Sequence, residues 1–390
     1  MSYFIDVAYN SLNKNGEELC GDKVEVIKTS EGVIIVMADG LGSGVKANIL
    51  ATLTSKIAGT MLKEGLSIYE TVDTIAHTLP VCSVRQLAYC TFTIIKILND
   101  GNVHAIEYDN PAYFLIKDGI ITVPEKKEIT IEDKHITESH FKLEVNDVLT
   151  VVSDGAIHAG VGAILNLGWQ WNNVADYLEA LAPVESCSAN ISKDLIQTCQ
   201  KLYAGKPGDD TTVVSVTIRQ PEIVTIFTGP PKKTENDKLV IQKLIKNTGI
   251  KVVCGGTAAN IAARELNEKI TVDLEYYDPS VPPTAKIKGI DLVTEGVLTL
   301  SKAVEKMNTY INSSLDDKIS LNLDGKDGAS RLARLLIENC THLRLLVGKA
   351  INPAHQNPDF PYELSIKVRV VELLIQAMKS LGKEVEIEYI

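Results

Sequence analysis

Three stretches of this chain run apolar straight into, or straight out of, an aspartate. Ile34–Gly40 reads IIVMADG, Leu149–Gly155 reads LTVVSDG, and Gly208–Val216 reads GDDTTVVSV in the opposite order. Short runs of β-branched and aliphatic residues bounded by turn-formers read as buried strands. A carboxylate at the mouth of such a strand costs several kcal/mol unless something compensates it. Cys20-Gly21-Asp22, ahead of a further strand, adds a fourth acidic strand end. Taken singly, each Asp-Gly is an ordinary turn. Taken together, Asp22, Asp39, Asp154 and Asp209 point to carboxylates that converge, and several converging carboxylates need cations. Such oxygen ligands suit hard ions, magnesium or manganese.

The length, 390 residues, suggests about two domains. In the first, strands are expected at Phe4–Ala8, Val24–Lys28, Gly32–Ala38, Cys90–Ile97, Val103–Tyr108, Ala112–Lys117, Gly119–Val123, Asp147–Val152 and Thr211–Ile218. Helices are expected at Val45–Glu64, Ile68–Leu79, around Val174–Leu181, and at Ala189–Leu202. Runs of strands with a few long helices imply an α+β domain, antiparallel sheets covered by helices. Arg219-Gln220-Pro221-Glu222 marks the boundary, because a proline follows a strand end there. The domains are therefore read as 1–220 and 221–390. Beyond the boundary strands and helices alternate, which predicts an α/β layer with a largely parallel sheet.

Net charge is −11, and an acidic chain makes a poor nucleic-acid binder. No apolar run is long enough to span a bilayer, and the N-terminus lacks the pattern of a signal peptide. The expectation is a cytoplasmic protein with neither nucleic-acid nor membrane partners. Seven cysteines, none in CxxC spacing, argue against a disulfide framework or a structural zinc.

The loop Asp39-Gly40-Leu41-Gly42-Ser43-Gly44 opens the helix from Val45. Its glycines permit close backbone approach, and a helix N-terminus favours an anion. A cation site beside a phosphate-attracting loop is the resulting expectation, although the Walker pattern is absent.

In order, GD, ADGLGSGVKA, CTFTIIKI, SDGAIHAG and GDDTTVVSV resemble the PPM, or protein phosphatase 2C-like, serine/threonine phosphatases. The likeness is to the bacterial branch typified by the stage II sporulation protein E phosphatase domain, and it covers roughly residues 1–220. It implies a β-sandwich flanked by helices with a binuclear metal site at one end. Carried over, Asp39 bridges two ions and the Gly40 carbonyl serves one of them. Asp22 joins that ion directly or through water, and Asp154 and Asp209 complete the other. Asp22 and Asp39 are the residues closest to catalysis. Asp210 and Thr212 support the site from behind, and Gly42, Ser43, Gly44 and Lys46 line the phosphate loop. The resemblance implies a cation-activated water attacking a phosphoserine or phosphothreonine of a partner protein, in a signalling role. The phosphate-gripping arginine of many eukaryotic members is missing, since the first arginine is Arg85. Lys46 would assist phosphate binding or simply be a solvated lysine. His158 would donate a proton or be an ordinary polar residue.

Residues 221–390 carry no motif of comparable weight. Cys254-Gly255-Gly256-Thr257 opens a helix after a strand, either as an anion site or as a plain turn with Thr257 as N-cap. Asn352–Pro358 reads as a polar surface or gating loop. Arg331 and Arg334 share a helix face, as an anion clamp or a solvated surface. This domain would sense a small ligand or dock the phosphoprotein. The competing reading of the whole chain is a phosphoprotein-binding scaffold without turnover.

Overall fold

A computed structural model describes residues 3–78, 90–131, 134–185, 187–273, 282–312, 325–350 and 366–390. It divides into two compact units, Met1–Gln220 and Pro221–Ile390.

The first unit is built on two antiparallel sheets. One sheet has the order β1 (Phe4–Leu12), β11 (Thr211–Arg219), β10 (Val148–Val152), β6 (Phe114–Lys117), β7 (Ile120–Thr122). The other runs β2 (Asp22–Lys28), β3 (Gly32–Gly40), β4 (Cys90–Leu98), β5 (Asn102–Tyr108), β9 (Lys134–Lys142), β8 (Lys126–Ile131). Alternate residues of both sheets meet in one core: Ile35, Met37, Ile95 and Ile97 from the second pack with Leu149, Val151, Val214 and Val216 from the first. The opposite face of the second sheet buries Ile34, Val36, Phe92, Ile94 and Ile106 under helices α1 (Gly44–Lys63) and α2 (Ile68–Thr78). Because β3 and β4 are covered on both faces, they read as continuous apolar runs rather than alternating ones. On the first sheet, α5 (Ser188–Leu202) packs against β1 and β11, and α4 (Trp171–Leu181) against β6 and β7. A one-turn helix, α3 (Asp154–Ile157), follows β10 directly. The result is the helix-flanked sandwich of an α+β domain. The hairpin β8–β9 is absent from the sequence expectation; its strands alternate charged and apolar residues at the sheet edge, with little apolar signal.

The second unit is a doubly wound α/β layer. Its seven-stranded sheet has the order β14 (Thr271–Val272), β15 (Ala285–Ile287), β16 (Ile290–Thr294), β13 (Ile250–Cys254), β12 (Ile223–Thr228), β17 (His342–Val347), β18 (Glu384–Tyr389). β16, β13, β12, β17 and β18 are parallel neighbours, and β14 and β15 form an antiparallel edge. Helices α6 (Asp237–Lys246) and α7 (Gly256–Leu266) cover one face. The other face lies under α8 (Val297–Asn312), α9 (Gly328–Arg334, continued by a π-type turn at Leu335–Asn339) and α10 (Ile366–Ser380). The chain order reverses between β12 and β17, which makes the carboxyl ends of those strands the topological switch point. Thr257 is not the N-cap of α7: Gly255, at φ +119°, holds that position and Thr257 lies within the first turn. The 352–358 loop lies outside the described residues. None of the described helices is long and apolar enough to cross a membrane.

Candidate metal centre

β2 and β3 pair in a register that sets Asp22 directly opposite Asp39, and the Gly40 N–H donates to the Gly21 carbonyl at 3.2 Å. In the other sheet β10 ends at Val152 and Ser153 leads into α3, which Asp154 opens, while its neighbour β11 begins just after Asp209 and Asp210. Ser153 and Thr212 tie these two strand ends together. The Ser153 N–H donates to the Thr212 carbonyl at 3.0 Å, and the Ser153 hydroxyl accepts the Thr212 N–H at 2.8 Å. The Thr212 hydroxyl meets that of Ser11 at 2.8 Å. Thr212 therefore laces the end of the sheet.

The two sheet ends face one another. A Cβ added at Gly21 would stand 2.8 Å from Asp210 Oδ2. The glycine after each central aspartate is a steric necessity: at Gly40 a Cβ would fall 2.1 Å from the Ala47 carbonyl of α1, and at Gly155 it would fall 2.1 Å from the Asp210 carbonyl. The Asp-Gly pairs thus let helix α1 and strand β11 close upon the carboxylates.

The carboxyls also act on one another electrostatically. Burial pushes the Asp39 carboxyl well above the ordinary carboxylate range, and the charges of Asp22, Asp154, Asp209 and Asp210 push it further, in that order. Asp22 is raised first by burial and then by Asp210 and Asp154, against a lowering influence of the Ser153 and Thr212 hydroxyls. Asp154 is raised by burial and by Asp209, with His158 and Lys14 opposing. Neither oxygen of the buried Asp22 receives a well-formed hydrogen bond, nor does Asp210 Oδ2. Buried, underbonded carboxylates of this kind are donors that a hard cation would satisfy.

Asp209 and Asp210 differ more than their sequence suggests. Asp209 is 42 % exposed, with Lys14 Nζ 3.6 Å from its Oδ1. Asp210 is buried, and its Oδ1 accepts the Lys14 N–H at 3.0 Å. Among the described residues, no three of these aspartates have carboxylate oxygens all within 4.8 Å of one another. Carboxylate oxygens are hard donors of the kind that suit magnesium or manganese.

The glycine loop holds a surprise. Ser43 is the residue before α1, but its hydroxyl donates to Glu17 Oε1 at 3.0 Å instead of capping the helix. Gly44, at φ +67°, lies so close to Glu17 that a Cβ would stand 2.2 Å from its Oε2. The anion attracted to the start of α1 is therefore the chain's own Glu17. Gly42, at φ +102°, is exposed with open space around its Cβ position, and Lys46 and His158 are exposed. Lys14, Glu17 and Asn48, whose amide donates to the Cys20 carbonyl at 2.8 Å, complete the surroundings. Sequence reasoning missed all three. No motif marks a loop residue whose role depends on the β1–β2 turn folding back over α1.

The family model of stage II sporulation protein E (SpoIIE) matches residues 29–219, a stretch that begins after Asp22. Among solved structures, the PP2C phosphatase domain with a fragment of the regulatory domain of SpoIIE from Bacillus subtilis aligns at 19 % identity and TM-score 0.48, covering 56 % of this chain and 63 % of that one. The RsbU and RsbW domains of a Mycobacterium tuberculosis protein align at 16 % identity and TM-score 0.47, covering 63 % of this chain and 68 % of that one. RsbX in complex with magnesium aligns at 17 % identity and TM-score 0.40, over 55 % of this chain and 95 % of that one. No curated protein matches the chain.

Proposed function

We propose, from the premise that residues 29–219 belong to the stage II sporulation protein E family of PP2C-like phosphatase domains, that this protein hydrolyses phosphoserine or phosphothreonine on a partner protein with the help of two divalent cations. The observation that carries the reading is the set of buried carboxylates gathered around Asp39, with Asp22 left without well-formed hydrogen bonds. Asp39 would touch both ions, and the Gly40 carbonyl and Asp22 would serve one. Asp154 and Asp209 would serve the other. Manganese or magnesium there would supply positive charge for the phosphoryl oxygens and acidify a water for in-line attack at phosphorus.

The chain's own residues do the positioning. Gly40 and Gly155 let α1 and β11 approach the carboxylates. Ser153 and Thr212 hold the ends of β10 and β11 in register. Lys14, beside Asp209, offsets part of the negative charge at the rim. Glu17 at the start of α1 repels an incoming phosphate, so phosphate binding falls to the cations rather than to the glycine loop. The second unit, with its switch point between β12 and β17, is the proposed seat of a small regulatory ligand or of the phosphoprotein.

The test is phosphate release from an aryl phosphate and from phosphoserine and phosphothreonine peptides. Turnover is expected with Mn²⁺ or Mg²⁺ and none after chelation. A well-folded protein inert on all these substrates with either ion would favour the scaffold reading instead.

A further inference from the structure

The strands β5 and β9 pair with His104 opposite His140, and the alternation of a strand puts Glu138 on the same face. The two imidazoles stack with centroids 4.1 Å apart and planes 24° from parallel. Their Nε2 atoms lie 2.8 Å and 3.4 Å from one and the same oxygen, Glu138 Oε1. The Tyr69 hydroxyl of α2 donates to that oxygen as well. One carboxylate oxygen has about two lone pairs to offer three donors. A cation on the carboxylate would relieve this competition once the two rings turned their Nε2 lone pairs toward it.

We propose that His104, Glu138 and His140 bind one divalent transition ion of the zinc class, at a site separate from the aspartates. Among the described residues these are the one trio of His, Cys, Asp or Glu whose ligand atoms all lie within 4.8 Å of each other. A tetrahedral ion with bonds of ~2.0–2.1 Å spaces its ligands about 3.3 Å apart, close to the separations found here. Two imidazoles and a carboxylate favour zinc, cobalt or nickel over magnesium. Glu138 is buried and His140 is 65 % exposed, so the fourth coordination position opens to solvent. Tyr69, hydrogen-bonded to the carboxylate, orients it from α2. Through Tyr69, such an ion would tie α2 to strands β5 and β9. The site is remote from the carboxylates: His104 is opposite Lys96 on β4, whereas Asp39 is opposite Thr91. That offset corresponds to about 17 Å along the strand.

Equilibrium dialysis of the full chain against zinc, with excess magnesium present, tests the proposal. An Asp39→Asn background suppresses binding at the aspartates. In that background one tight zinc equivalent is expected, and adding His140→Ala is expected to weaken it at least ~10-fold. The melting temperature of each variant without metal checks that the fold is retained. Absence of zinc binding in the Asp39→Asn background, or unchanged affinity after His140→Ala, would overturn the assignment.

Discussion

Asp39→Asn is expected to cut metal-dependent phosphate release at least ~100-fold and yet raise the melting temperature of the metal-free protein. The first effect follows from removing the carboxylate at the centre of the cluster, since even residues behind a metal site commonly cost ~10–100-fold when altered. The second follows from what surrounds Asp39. Four other carboxylates act on it, and each raises the free energy of its charged form. Asparagine keeps the volume, needs no proton to stay neutral among these carboxylates and offers N–H donors to oxygens that lack hydrogen bonds, such as those of Asp22. A gain on the order of 1 kcal/mol corresponds to about 2–4 °C in a domain of this size. Differential scanning fluorimetry in chelator, beside a phosphate-release assay in Mn²⁺, reads both effects on the same samples. A variant that lost activity because it lost its fold would melt lower, which separates the two explanations.

Without divalent cations the protein is expected to lose stability as pH rises, and added Mn²⁺ is expected to restore more of it at high pH than at low. Asp39, Asp22 and Asp154 all have carboxyls raised above their unfolded value. The folded state therefore binds more protons than the unfolded one. The stability these protons confer is fully present below about pH 4, where a free aspartate titrates, and drains away as pH climbs through the raised values. A cation takes the place of the protons and binds better as they leave. At a concentration 100 times its dissociation constant a cation adds about 2.7 kcal/mol. The expected pattern is a small Mn²⁺-induced rise in melting temperature near pH 5 and a rise of several degrees near pH 8. A shift that is equal at both pH values would mean that these carboxylates do not bind the ion.

Much of this was visible in the residues alone. The strands β3, β10 and β11 are buried on both faces, so their apolar runs announced them, and the aspartates at their ends drew attention to the candidate site. The alternation of strands and helices after Pro221 foretold the parallel layer, because each crossover in such a sheet needs a helix. The β8–β9 hairpin was hidden for the opposite reason. The edge position of β8 leaves many of its residues to solvent, and Ile129, Ile131, Ile136 and Phe141 are the apolar residues that carry the hairpin's signal. The histidine–glutamate trio was hidden with it. His104 and Glu138 are brought together by a strand register that no local pattern encodes. Glu17 at the start of α1 illustrates the same limit. The glycine loop told of an anion beside the helix, but only the folded path of the β1–β2 turn decided which one. Asp209 and Asp210 are adjacent and chemically identical, and the turn entering β11 separates one at the rim from one buried beneath it.

Crystals soaked in Mn²⁺ and recorded at the manganese absorption edge put the binuclear centre to trial. Two anomalous peaks about 3.5–4 Å apart, with Asp39 between them and Asp22 and Asp154 on opposite sides, are expected. An occupied crystal with a single peak, or with no peak within ligand distance of Asp39, would refute the two-cation centre.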